Sequence, residues 1–456
     1  MGSVFASLSA AGSALNLFTQ ALGAEQRNIA NASTAGYAVQ NISIAPDAGG
    51  IDSVRLSTPD ATSADAAVRA ASAQTSFAQT NSSQLAPVNN LLDITGSSGI
   101  LAALQQFGSA FSALSSSPND PTLGANALTA AGNVAQTFNT VAQSLGTQRS
   151  QLDASIQDTA SQINGLAASI ATLNARIPAG GSSIPSADAQ LRSDLDQLSS
   201  LVDITVSNNP DGTVSVLGGG QAPLVLGDQA YTLTVDPSAA PGSQVASSGG
   251  GQSPVGLSGR LGALLDLRTN TFGSLLGSGS SPGTLNQLAA GFASRVNTLL
   301  TSGVAASGAA GAPVFTWDQS HPPNAAASLA VDPTVSASQL GIGTSGASGT
   351  ANGVANQLAA LPTSMAAADQ IGGLSPSGLF GSIAASVGQQ LSDAQTAASG
   401  DQATLTSAKT DRQNLIGVSF DQEAVNVTTD ERAYQANAQL VTILNQITQT
   451  AMDLIK

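Results

Sequence analysis

The chain has 456 residues, 13 basic against 28 acidic side chains and a net charge of −15, with charged residues only 9% of the total. It has no Lys/Arg cluster, which speaks against nucleic acid and anionic membranes as partners, and no apolar run that approaches a membrane span. It has no cysteine, which excludes disulfides and thiolate metal sites.

Residues 3–31 read as a first helix. Val4, Leu8, Ala11, Leu15, Phe18, Leu22 and Ile29 recur at alternating steps of four and three, and Glu25 is the one break. That is the coiled-coil period. The flanking positions Phe5, Gly12, Thr19, Gln26, Ser7, Ala14, Ala21 and Asn28 carry no charge, so no salt bridge selects a partner. The helix ends in Asn31-Ala-Ser-Thr-Ala-Gly36-Tyr37, where Gly36 can take a left-handed turn and Tyr37 can anchor the exit.

An extended segment follows through Val39, Ile42, Ile44, Ile51, Val54 and Leu56, then a helix over 62–92 and another over 100–116, ended by Pro118 and Pro121. The longest regular stretch starts near Thr122 and carries Phe138, Val141, Leu145, Leu152, Ile156, Ile163, Leu166, Ile170, Leu173 and Ile177 before Pro178-Ala-Gly-Gly closes it. A shorter helix over 187–201 folds back beside it. Val202–Val206, Val214–Leu217, Leu224–Leu226 and Tyr231–Val235 read as short strands, the first two joined by the turn Asn208-Asn-Pro-Asp-Gly212. Helical patterns return at 259–276 and 284–301. A Gly/Ala/Pro-rich stretch over 302–350 holds the one tryptophan, Trp317, and helices resume at 352–361, at 379–412 and from about 421.

The last helix repeats the first rhythm through Ala433, Leu440, Leu444, Ile447, Ala451 and Leu454, with Asn437 in the remaining slot. Its flanks include Tyr434, Val441, Ile443 and Ile455. Burying a Val or Ile is worth roughly 1.5–3 kcal/mol, so a lone two-helix rod would waste them, and contact with neighbouring subunits is the better use.

The fold class expected is mainly α with an inserted β-rich domain. The N- and C-terminal helices pair as a coiled-coil rod on a long-helix bundle, and the small β domain lies at the distal end. Four parts follow: residues 1–40 with 418–456 as a terminal assembly domain; 41–201 with 259–301 and 352–417 as a helical core; 202–258 as the β-rich domain; and 302–351 as a partly β segment.

Residues that could carry chemistry stay scattered. His321 sits beside Pro322-Pro323 without a partner motif, and Gly218-Gly-Gly220 lacks the Lys-Ser/Thr of a phosphate loop. Asp211-Gly212 is a turn without the alternating acids of a calcium loop. The acid pairs Asp194/Asp196 and Asp430/Glu431 read as solvated helix faces. No catalytic, cofactor-binding or metal-binding residue is assigned, no cofactor is expected, and an enzyme is the least favoured class.

Specific residues add a resemblance. Asn28-Ile-Ala-Asn31-Ala-Ser-Thr34-Ala-Gly36-Tyr37 is similar to the amino-terminal signature of bacterial flagellar axial proteins. Within that group the chain resembles the family of hook-associated protein 1. The matching segments are Phe111-Ser-Ala-Leu114 to Pro118 with the long helix, Asp194 to Leu226, Gly259-Arg-Leu-Gly-Ala-Leu-Leu-Asp266, Gly417-Val-Ser-Phe-Asp421-Gln-Glu423-Ala, and Arg432-Ala-Tyr434-Gln-Ala436-Asn437. Ala35 stands where the family usually has proline, Ala38-Val39 replaces a typical Ser-Arg, and Thr428-Thr-Asp-Glu431 is more polar than usual there.

The resemblance implies a structural part of the flagellum, the junction between hook and filament, with paired terminal helices packing on neighbouring axial subunits. It implies copies of the chain in a ring layer, the hook protein and the second hook-associated protein as partners, and an export chaperone on the carboxyl-terminal segment. The location implied is extracellular, in the flagellum, after export without a cleaved signal peptide. The assembly residues expected are Val4, Leu8, Leu15, Phe18, Leu22, Ile29, Asn31, Gly36, Tyr37, Tyr434, Leu440, Val441, Ile443, Leu444, Ile447 and Leu454. Rival readings are another axial protein, or a secreted coiled-coil adhesin or export-tip protein whose β domain binds a surface ligand.

Overall fold

The computed structural model describes residues 2–46, 52–93, 98–176, 185–239, 243–250, 257–344 and 350–453. The expectations for Ile51, Ile177, residues 178–181, Leu454 and Ile455 fall outside them.

Helix α1 (Gly2–Asn31) leads into an antiparallel hairpin of β1 (Asn41–Pro46) and β2 (Asp52–Ser57). The body is built on α2 (Thr62–Leu91), α3 (Ile100–Ser116), α4 (Pro121–Asn174) and α5 (Pro185–Leu201). Helix α4 runs unbroken for 54 residues. Its start follows from local chemistry: the Asp120 carboxylate caps the Thr122 and Leu123 amides, and Pro121 begins the first turn without needing a donor.

Strands β3 (Ile204–Asn208), β4 (Val214–Gly218), β5 (Ala222–Leu226) and β6 (Gln229–Ala230) form an antiparallel sheet in sequence order, and β7 (Leu233–Val235) pairs with β8 (Val245–Ser247). Residues 259–276 continue as one helical stretch of α6 (Gly259–Asp266), a π turn (Leu267–Phe272) and α7 (Gly273–Leu276). Arg268 in that π turn meets Asp153 of α4 at 2.7 Å. After the short pair β9 (Gly277–Ser278) and β10 (Ser281–Pro282) comes α8 (Thr284–Ser302). The 302–351 stretch contributes β11 (Phe315–Thr316) against β12 (Ala330–Val331) and the single turn α9 (Ala325–Ser328). Then follow α10 (Gly353–Ala360), α11 (Pro376–Ile416) and α12 (Phe420–Asp453).

One hydrophobic core runs through helices, sheet and the 302–351 stretch alike, from Phe107, Phe138 and Ile156 to Val216 and Leu224 and on to Phe315 and Leu340. Rings meet inside it, with Phe107 4.6 Å from Phe111 and 5.1 Å from Phe292. The irregular segments are clipped to the helices by buried amides. Asn174 of α4 donates to the carbonyls of Val214 (2.8 Å) and Gly227 (2.6 Å) and accepts from the Val214 amide. Asn164 does the same for Leu233, and Asn297 of α8 for Val314 and Phe315. Helix side chains thereby serve as partners for strand backbone that would otherwise be buried unpaired.

Those clips correct one expectation. The β module does not lie at the far end from the termini. Asn174 and Asn164 fasten it to the carboxyl-terminal part of α4. Its β3–β4 turn, with Asn208 and Gly212, faces a cavity of about 290 Å3 shared with Ala38, Asp60 and Arg192. The module sits where the terminal helices join the body.

Candidate assembly interface

Helices α1 and α12 pack antiparallel, so the two ends of the chain form one rod. The rod meets the body at a polar hub. The Asn31 side chain donates to the Arg27 carbonyl and closes α1, and the chain then turns at Gly36, whose φ is +78°. A Cβ there would collide with the carbonyl of Ala189 in α5, so glycine is required. Arg192 of α5 donates to the Gly36 carbonyl at 2.6 Å and to Asp65 of α2 at 3.0 Å. Arg412 of α11 reaches Asp65 at 3.3 Å and Asp196 of α5 at 2.7 Å. Burial holds the Asp196 carboxyl above its usual range against the pull of Arg412, and burial lowers Arg69 beside them. The Val39 amide donates to the Ile416 carbonyl, and Ala38, Ala61 and Ile416 close a small apolar contact under the turn.

Above the hub the rod has a polar anchor. Asn28 is buried, with each end of its amide doubly engaged. Its Oδ1 accepts from the Tyr37 hydroxyl and the Gln40 amide, both at 2.9 Å. Its Nδ2 donates to the Gln40 carbonyl and to Glu423 of α12, both at 3.1 Å. Burial is the main cause that pushes the Tyr37 hydroxyl up, with Arg27 opposing and Glu423 adding.

The seam differs in detail from the periodicity. On α1 the fully buried positions are Ala11, Ala21, Ala24, Glu25 and Asn28, while Leu8, Leu15, Phe18, Leu22 and Ile29 stay half-buried. Val4 lies in α1, and Leu454 lies outside the described residues. On α12 the face toward α1 carries Glu423, Val427, Asp430, Ala433, Asn437, Val441, Leu444 and Thr448. Leu440 and Ile447 are not in it. They are 48% and 49% exposed and join Ile443 (54%) on the outer side, while Tyr434 (39%) lies at the opposite edge of the seam. The antiparallel partner arrives about one position off the a/d stripe, so Val441 and Thr448 take the inner places.

The acid pairs also differ from the solvated reading. Asp194 is buried and accepts from Ser169 and Gln190, both at 2.6 Å, and Asp196 belongs to the hub. Asp430 is half-buried against Glu25. Sequence reasoning missed Asp65, Arg192 and Arg412 altogether. The sequence signal was rarity, since the chain has only 13 basic residues and two of them converge on one aspartate.

His321 is an exposed loop residue whose Nδ1 lies 2.8 Å from Asp318 and 3.0 Å from Ser320. Both contacts fall on one ring nitrogen, and the three residues close a local turn. Ser320 is the main cause that holds Asp318 down at about 2. A nucleophile and an orienting acid would need opposite nitrogens. Among the described residues no group of His, Asp or Glu has the geometry to hold a metal ion, and no helix is long and apolar enough to cross a membrane.

The family profile described as flagellar hook-associated protein FlgK, helical domain, matches residues 85–315, just over half of the chain. The chain belongs to the FlgK family. Among solved structures it is similar to the flagellar hook junction protein FlgK from Burkholderia pseudomallei, with a TM-score of 0.63 and 16% identity, covering 76% of this chain and 99% of that one. At that identity the likeness concerns the fold, a mainly helical architecture with an inserted β region. No curated protein sequence matches the chain significantly. Membership of the FlgK family gives this chain a structural role in the flagellum, at the junction between hook and filament. The profile spans α3 to α8 and the β module and stops short of the rod, so the terminal helices of this FlgK family member stand on their own geometry.

Proposed function

We propose that the α1–α12 rod is the part by which this junction protein assembles, and that the outer face of α12 is covered by terminal helices of neighbouring axial subunits. The exposed apolar side chains along α12 carry the reading: Val425, Leu440, Ile443 and Ile447 are each between 48% and 60% exposed on one side of one helix. A soluble protein rarely leaves such a stripe open. The half-buried Leu15, Phe18 and Leu22 on α1 extend the same need.

In this reading residues 1–40 with 418–456 act as the assembly domain. Copies of the chain form a ring layer, with the hook protein below and the second hook-associated protein above. Helices this rich in Ser, Gly and Asn are marginal alone and suit a chain that travels unfolded through the flagellar export channel. A chaperone holding the carboxyl-terminal segment would cover the α12 stripe on the way.

In-frame deletion of the gene in its own bacterium tests the role. Bare hooks by electron microscopy, with flagellin monomers in the medium, are the expected result. Normal filaments would overturn it.

A further inference from the structure

The one break in the α1 seam faces the polar stretch of α12. Glu25 is 8% exposed, and its Oε2 is buried without a hydrogen-bond partner among the described residues. Asp430 lies on the face of α12 turned toward it, half-buried, and Glu423 on the same face is 5% exposed. Carboxyl groups buried side by side with an oxygen left unpartnered are held at lower cost when one of them keeps a proton. We propose that Glu25, Asp430 and Glu423 form a proton-operated latch on the paired terminal helices, closed while the cluster holds a proton and loosened when all three carboxyls are ionised.

The surroundings leave little else to neutralise the cluster. From α12, Glu423 and Asp430 face Glu25, and both are acids. From the segment after α1, Tyr37 contributes a neutral hydroxyl and Gln40 an amide. Arg27, on α1 itself, is exposed and donates to Gln40 at 3.1 Å. Asp421, Glu431 and Arg432 are exposed on other faces of α12. On β2, which also touches α1, the side chains of Asp52 and Arg55 lie outside the described residues. The described groups do not have the geometry of a metal site, so a proton is the available neutraliser.

Geometry and titration agree in sign. Burial first, then Asp430, raises Glu25 from 4.5 to about 7. A carboxyl whose value is higher when the helices pair stabilises the pair fully below about pH 4.5. That contribution is lost as the pH rises through about 7, and above that both states are ionised. For one proton the pairing equilibrium falls by up to about tenfold per pH unit inside that window. A chain whose ends must stay available for neighbours gains from a pair that is loose at neutral pH. The latch itself concerns one chain, and it stands whether or not the rod sits in a junction.

The test is amide hydrogen exchange on the dilute full-length chain from pH 5 to pH 8, corrected for intrinsic rates. Residues 6–31 and 421–453 are read against 100–116 of the body. The expected result is protection of both terminal segments that declines from pH 5 to 7 and then levels, while the body stays flat. Glu25→Gln should remain protected to pH 8, and Asp430→Asn should shrink the decline and end it at a lower pH. Glu25→Lys should reverse the sign, pairing at pH 8 and loosening as the acids protonate. Identical profiles for the unmodified chain and both neutral variants would overturn the latch, as would terminal segments that are unprotected at pH 5.

Discussion

Asn28 and Glu423 stand 395 positions apart in the chain and are hydrogen-bonded, Nδ2 to Oε2, at 3.1 Å. This contact ties the last turn of the first helix to the first turn of the last one. The same amide also satisfies the Gln40 backbone and the Tyr37 hydroxyl. Asn28→Ala strands those groups in a buried place and should weaken rod docking by about 3 kcal/mol, taking about 1–3 per orphaned group with partial relief by water. Asn28→Asp keeps the shape, removes the amino group that donates to both the Gln40 carbonyl and Glu423, and adds a fourth carboxylate. It should match the Ala variant at pH 5 and be the looser of the two at pH 8. Hydrogen exchange of 6–31 measures both, and equal behaviour of the two variants at every pH would refute the charge argument.

The hub rests on Asp65, which is buried and answered by two arginines with a third, Arg69, close by. Removing the acid leaves the cations facing one another with Asp196 alone. Breaking a buried pair in this way costs about 3–5 kcal/mol, and the part-exposed edge of this cluster puts Asp65→Ala at the low end. Arg192→Lys keeps the charge but cannot reach the Gly36 carbonyl and Asp65 together, since an ammonium lacks the fork. It should cost about 1 kcal/mol. Denaturant unfolding of the two variants gives the ranking, and a larger loss for Arg192→Lys would contradict it.

Gly36→Ala places a methyl group against the Ala189 carbonyl at a backbone angle that side chains rarely adopt. Strain plus the clash should cost about 2–3 kcal/mol, paid by undocking the turn rather than by unfolding the body. Loss of protection in 6–31 with an unchanged melting transition is the expected pair of results. A lowered main transition would mean the turn is part of the body's cooperative unit.

What could be read in advance followed apolar periodicity. The long helix with Phe138 to Leu173, the turn at Gly212 and the pairing of chain ends all announce themselves through spacing. Polar geometry did not. Asp194, Asp196 and Asp430 looked solvated because a charged side chain on a helix is usually outside, and only tertiary packing brings Ser169, Arg412 and Glu25 to them. The place of the β module was hidden for the same reason. Nothing local in Asn164 or Asn174 says that its amide will clip a strand 69 or 40 residues away. On α12 the stripe of Leu440, Leu444 and Ile447 predicts an apolar face but not which edge of it the partner helix takes.

That last ambiguity gives the sharpest separation of roles. Leu444 and Val441 face α1, whereas Leu440, Ile443 and Ile447 face outward. Leu444→Asp should open the α1–α12 pair in the isolated chain, since an unpaired charge enters a half-covered seam. Ile443→Asp and Leu440→Asp should leave the isolated chain within about 0.5 kcal/mol of the unmodified protein, as outer-face substitutions do. In the cell both should still block incorporation, because each outward aliphatic group buried by a neighbour is worth roughly 1.5–3 kcal/mol and an aspartate there adds a desolvation cost. The measurements are unfolding of the purified variants and microscopy of hooks and filaments in complemented deletion strains. Full incorporation of Ile443→Asp and Leu440→Asp together would show that the outer face of α12 is not where neighbouring subunits bind.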